Sequence, residues 1–186
     1  MVQTQFNTNI QMLRSDNGRE YFAQILGNFF QEKGIIQQSS CNDTPQQNGV
    51  AERKNRHLLE ITRTLLFSTK TPKYLWGDAL LHATYLINRM PSRVLNFETP
   101  INLLKNAFPK SRLFKSIPLK IFGCTVFIRN PNRNASKLDP KGRKCVFVGI
   151  APNQKEYKCF DLTVKKTFVT VDVLFFEHSP FFDTHL

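Results

Sequence analysis

The stretch 9-NIQMLRSDNGREYFAQILGNFFQEKGII-36 decides what kind of fold this chain adopts. NIQMLR reads as a short strand with Ile10, Met12 and Leu13 facing inward, so that Asp16 sits just past a strand end. Phe22, Ile25, Leu26, Phe29 and Phe30 then repeat at i, i+3, i+4, i+7 and i+8, the spacing of one helix face, and Gly34 supplies the stop. Ile35 and Ile36 open another short strand. A strand, a helix and a strand in succession predict an α/β fold.

Outward from there, 40-SCNDTPQQN-48 is rich in turn formers and has no period, which predicts a mobile loop. Asn48 can cap a helix running to about Ser68, with Val50, Leu58, Ile61 and Leu65 as its apolar stripe. Glu52, Asn55, Arg56 and Arg63 lie on a different, polar face. Thr71-Pro72 starts a further helix whose apolar positions are Leu75, Ala79, Leu80, Ala83, Leu86 and Ile87, and TPINLLK makes a short one at 99–105. Trp76, within that apolar pattern, reads as a core residue.

Beyond this point the period changes to two. The runs 121-IFGCTVFIR-129, 143-RKCVFVGI-150, 156-EYKCF-160 and 166-KTFVTVDVLF-175 read as strands, with Asp161–Lys165 as the hairpin loop between the last two. In the last run Val169, Val171 and Val173 share one face and Thr170 and Asp172 the other. Four short strands with no helix between them predict a small barrel or curled antiparallel sheet.

Composition narrows the function. The 186 residues hold 26 Lys or Arg against 14 Asp or Glu, a net charge of +12. With 41% hydrophobic residues and 17 Phe there is ample material for a core. Such a surplus favours a polyanion, nucleic acid before an acidic membrane surface. From Lys105 to Cys145 there are eleven Lys or Arg and one acid, Asp139, which suits phosphate contact along a groove or a solubilised linker. No run reaches the roughly 18 apolar residues of a membrane span, and MVQTQFNTN lacks the features of a secretory signal. Cys41, Cys124, Cys145 and Cys159 form no C-x-x-C, and His57, His82, His178 and His185 form no H-x-x-x-H pair. All eight read as structural or surface residues in a reducing compartment, cytosol or nucleus.

Two acids stand out by context. Asp16 follows a strand, and Glu52 lies in the first turn of a helix among Arg53, Lys54 and Arg56, with thirty-five residues between the two. A carboxylate gains from a helix N-terminus whatever its function, so a surface-cap reading stays open beside a site reading.

RSDNGREY, the spacing to TPQQNGVAERKNRHLLE, the helix KYLWGDALLHATYLINRMPS and KLDPKGRKCVFVGI…YKCFDLTVKKTFVTVDVLFFE resemble the integrase region of copia-type LTR retrotransposon Pol polyproteins, over nearly the whole chain. The resemblance implies a partial ribonuclease H-like core of the retroviral-integrase type at 1–108 and a basic linker at 109–120. A small antiparallel β domain at 121–178 and a tail at 179–186 complete the division. It implies an Asp, Asp, Glu triad in which Asp16 matches the second aspartate and Glu52 the glutamate. These would hold two Mg²⁺ (or Mn²⁺) ions, hard cations that take carboxylate oxygens and clamp an in-line phosphoryl displacement. The implied reaction is DNA end processing and strand transfer. Its nucleophile is water or a DNA 3′-hydroxyl, in keeping with the lack of a Ser/His or Cys/His constellation. Arg53, Lys54, Asn55 and Arg56 match DNA-facing helix positions, and Pro45, Gln46, Asn48 and Gly49 match a loop that organises around DNA. The implied partners are element ends and target DNA, with homo-oligomers in the complete family, a nuclear location and no membrane.

The family's first aspartate and its His/His/Cys/Cys zinc segment have no match, and no acid occurs in residues 1–15. The expectation is therefore an integrase chain truncated at its N-terminus and inactive alone, with an exposed apolar sheet face and poor solubility. The alternative is a non-catalytic nucleic-acid-binding relic. Arg19, Glu156 and Ile150 depart from the family's usual small, glycine and aromatic residues.

Overall fold

The computed structural model describes residues 2–40, 49–109, 117–130, 138, 140–151 and 156–182. They form two compact units, one of residues 1–57 with 104–114 and the other of 58–103 with 115–186.

The first unit is built on β1 (Met12–Ser15), α2 (Gln24–Lys33) and β2 (Ile36–Ser39), preceded by α1 (Val2–Phe6). β1 and β2 pair in parallel, from Met12 opposite Ile36 to Ser15 opposite Ser39. A parallel pair needs a crossover, and α2 is that crossover. The helix starts later than its apolar period suggests. Arg19–Phe22 form a separate 3₁₀ turn and Ala23 is extended, so Phe22 lies outside α2. Gly34 ends the helix at φ 64°, donating its N–H to the Phe30 and Gln31 carbonyls, a left-handed cap that glycine adopts without steric cost.

Burial in this unit differs from the expected inward set. Along β1 the covered positions are Leu13 and Ser15, whereas Ile10 and Met12 are about half exposed. Phe30 is the buried side chain of α2, while Ile25 is 87% exposed. Side chains alternate between faces of a strand, so a layer on one face leaves the other open. Ile10 and Met12 are accordingly left about half open to solvent.

In the second unit, α4 (Trp76–Ile87) follows a 3₁₀ turn at Lys73–Leu75, and α5 (Pro100–Ala107) begins within the unit and ends outside it. α3 (Gly49–Ser68) likewise contributes residues to both units. The sheet comprises β3 (Cys124–Arg129), β4 (Gly142–Ile150), β5 (Tyr157–Asp161), β6 (Lys166–Thr170) and β7 (Val173–Pro180), all neighbours antiparallel, in the order β6-β5-β4-β3-β7. The run 166–175 is thus two strands, not one. β6 pairs with β5 and β7 with β3, at opposite edges.

That order forces closure. Strands spaced about 4.8 Å apart would put the two edges of a flat five-stranded sheet about 19 Å apart. Thr170 and Val173 are three Cα–Cα steps apart, at most about 11 Å. The sheet must curl until its edges approach. Irregular register between Cys124 and Thr125 and between Phe147 and Gly149, with Gly149 at φ 133°, supplies local bending.

Two clusters fill this unit. Cys124, Val126, Ile128, Cys145, Phe147 and Cys159 form one, rimmed by Tyr157, Phe168 and Phe175. Leu75 and Ala79 join Phe122, Val146 and Val148 in the other. β4 is therefore covered on both faces, which explains its unbroken apolar run. The α4 stripe lies as expected, with Leu75, Ala79, Ala83 and Ile87 buried. Gly123, at φ 76°, sits so close to Thr69 that a Cβ would lie 2.6 Å from its side chain. Asp161, almost fully buried, accepts N–H bonds from Thr163 (2.7 Å) and Val164 (3.3 Å) and pairs with Arg143 (3.2 Å), which fixes the β5–β6 turn.

Candidate functional site

Asp16 lies immediately past the C-terminal end of β1, on the side where β2 also ends. The two strand ends are tied there. Ser40 donates its N–H to the Ser15 carbonyl at 3.0 Å, and Asn17 Nδ2 donates to the Ser40 carbonyl at 2.8 Å. Asp16 itself is exposed and accepts the Gly18 N–H through Oδ1 at 3.1 Å, a local turn that fixes the carboxylate just beyond the strand. The outer end of a parallel strand pair is where open α/β sheets present functional side chains.

Glu52 lies in the first turn of α3, exposed, with no ion pair among the described residues. Asp16, Glu52 and the four residues after Glu52 all fall in the first compact unit. Arg53, Lys54, Asn55 and Arg56 are all exposed, and neither arginine pairs with Glu60 among the described residues. A helix whose first two turns hold no buried side chain owes its polarity there to something other than packing. Gly49 opens α3, where an added Cβ would lie 3.4 Å from Arg53 Nη1. Pro45, Gln46 and Asn48 lie outside the described residues.

The chemistry of Asp16 and Glu52 suits a hard divalent cation: both are oxygen donors that no cation neutralises among the described residues. Their number is short. No group of three or more His, Cys, Asp or Glu among the described residues could hold a metal ion. The two carboxylates offer suitable donor chemistry but belong to no such group.

The remaining candidates sort clearly. Cys124, Cys145 and Cys159 are buried, and burial pushes their thiols up to about 11, 11 and 12, so they are packing residues. His82 is buried against Phe122 and Phe147, and desolvation lowers it to about 4. Cys41 and His185 lie outside the described residues. Trp76 is not a core residue: it is 57% exposed at the start of α4 and lines a cleft with Phe67. The helical period correctly placed it next to the apolar stripe but gave no sign that the stripe's N-terminal edge is open. Among the described residues no helix is long and apolar enough to cross a membrane.

The curled sheet has a family to match. Residues 124–185 match the retroviral polymerase SH3-like domain. Over its whole length the chain is similar to retrovirus-related Pol polyproteins of plant transposons. One is from transposon TNT 1-94 of Nicotiana tabacum, 37% identical over 177 residues, covering 95% of this chain and 13% of that protein. Another is from transposon RE1 of Arabidopsis thaliana, 36% identical over 186 residues, covering 100% of this chain and 12% of that protein. The chain belongs to the copia-type retrotransposon Pol polyproteins, of whose length it spans about an eighth. A cryoEM structure of a simian T-cell lymphotropic virus intasome in complex with PP2A regulatory subunit B56 gamma aligns with a TM-score of 0.44 at 15% identity, over 86% of this chain and 55% of that one. A likeness that slight carries no argument about fold or function.

Proposed function

We propose that this chain serves DNA integration, as the integrase region of a retrotransposon Pol polyprotein. On this reading β1, α2, β2 and α3 are part of a ribonuclease H-like core, and the chain's partners are element ends and target DNA in the nucleus, held by a homo-oligomer. The observation that supports it most is the pair of exposed carboxylates, one just past the end of a parallel strand and one in a helix first turn followed by three cations and an asparagine.

Asp16 and Glu52 are the two side chains that would hold Mg²⁺ or Mn²⁺, and such a cation supplies charge neutralisation at a phosphate undergoing displacement. The chain's own part is binding and orientation. Arg53, Lys54 and Arg56 neutralise backbone phosphates, Asn55 hydrogen-bonds to them, and Gly49 permits close backbone approach. The attacking oxygen comes from water or a DNA 3′-hydroxyl, so no protein nucleophile is required. Because two carboxylates leave a two-ion site short of ligands, this chain binds duplex DNA without joining it. The same shortage of ligands favours, as the second reading, a role in nucleic-acid binding alone.

Binding of a labelled element-end duplex, followed by fluorescence anisotropy across a salt series, tests the proposal. The combined substitution R53Q/K54Q/R56Q is expected to flatten the log affinity against log salt slope by about 2 to 3, at roughly 0.9 per phosphate contact, whereas Glu52→Gln leaves binding in place. An unchanged slope would remove these cations from the interface. Metal-dependent joining by the unmodified chain above background would contradict the ligand count.

A further inference from the structure

We propose that a cleft in the second unit, between the end of α3 and the start of α4, binds an unpaired base of single-stranded nucleic acid. The cleft has a volume of about 460 Å³ and is lined by Arg63, Leu66, Phe67, Thr71, Lys73 and Trp76. It lies in a different compact unit from Asp16 and Glu52.

Its floor is fixed and its walls are open. Leu66 packs against the cluster of Leu75, Ala79, Phe122, Val146 and Val148. Thr71 is buried, shares a 2.7 Å hydrogen bond with the Thr69 hydroxyl, and donates its N–H to the Leu66 carbonyl at 2.9 Å. Above that floor Trp76 and Phe67, the latter 72% exposed, have no aromatic or cation partner among the described residues. Two exposed aromatic rings above a hydrogen-bonded floor offer flat faces on which a planar ring can stack.

Charge selects the occupant. Arg63 and Lys73 line the same cleft, form no ion pair among the described residues, and face no carboxylate in the lining. A nucleotide is an apolar plate flanked by phosphates, which matches aromatic faces flanked by cations. In a duplex the faces of a base are taken up by its neighbours in the stack, so a single strand or frayed end is the form that fits. Stacking of this kind tolerates any base. A strand held there would be bound independently of the duplex contacts proposed for Arg53, Lys54 and Arg56.

Trp76 is the sole tryptophan in the chain, so its emission reports the site directly. Titration of the unmodified protein with a twelve-residue oligothymidylate is expected to quench that emission and shield it from acrylamide. Trp76→Ala, checked for native circular dichroism, is expected to weaken oligothymidylate binding about tenfold, with Trp76→Phe within about threefold of the parent, as loss and retention of one stacked base require. Lys73→Gln is expected to lower the salt slope by about 0.7. Duplex binding stays unchanged in Trp76→Ala, which separates this site from the duplex interface. Oligothymidylate that binds without altering the emission would overturn the proposal, as would unchanged affinity in Trp76→Ala. A change of association state in Trp76→Ala with oligothymidylate affinity unaltered would assign the cleft to a second copy of the chain and overturn it too.

Discussion

The two compact units make opposite use of their apolar residues. In the curled sheet Val126, Val146, Phe147, Cys145 and Cys159 are completely buried, and β4 is covered on both faces. Among the described residues of the strand–helix–strand unit Phe30 is the buried apolar side chain, while Met12, Ile25 and Ile36 are exposed by about half or more. Both segments carry clear hydrophobic periods. Periodicity therefore specifies which face of an element is apolar, and the presence of another layer determines whether that face is buried. A sheet that closes on itself supplies its own second layer; a two-stranded parallel pair with one crossover helix does not.

The sharpest way to break this contrast is substitution in each unit. Phe147→Ala is expected to cost about 3–5 kcal/mol by removing a buried ring and leaving a cavity. Ile25→Ala, at an exposed position, is expected to stay within about 0.5 kcal/mol. Chemical denaturation followed by Trp76 emission for the second unit and far-ultraviolet circular dichroism for the whole chain reads both. Equal effects would mean that the first unit owns a core after all.

A smaller effect sharpens the same contrast. His82 is held neutral by burial, at about 4 against 6.5 in the unfolded chain. Between those values the unfolded state binds more protons, so stability rises with pH. The contribution is fully present above pH 6.5, declines as pH falls toward 4, and amounts to about 3 kcal/mol at most. Trp76 emission should show this slope in the second unit, and His82→Leu should flatten it. A slope that survives the substitution would move its origin elsewhere.

Much of this was legible in the residues. Gly34 announced the end of α2, Thr71-Pro72 the start of the next helical segment, and the period-two runs the antiparallel sheet. What stayed hidden was long-range. KTFVTVDVLF alternates without interruption, and its division at Val171-Asp172 arises because β6 and β7 find different partners at opposite sheet edges. Trp76 kept the helical spacing of a core residue, but no neighbour covers it on the cleft side. Ile10 and Met12 read as inward residues of the first strand, yet β1 begins only at Met12 and its covered positions are Leu13 and Ser15. For the candidate site, the residue types and the strand-end and helix-start positions of Asp16 and Glu52 could be read directly. Their freedom from cation partners required the structure.

The central functional claim is that Asp16 and Glu52 can share one divalent ion, and paramagnetic broadening by Mn²⁺ in the amide spectrum of the full chain tests it most directly. The account predicts that the amides of residues 16–18 and 49–53 broaden together, with one midpoint, and that Asp16→Asn or Glu52→Gln raises that midpoint for both groups. Broadening of one group alone, or of each with its own midpoint, would contradict it.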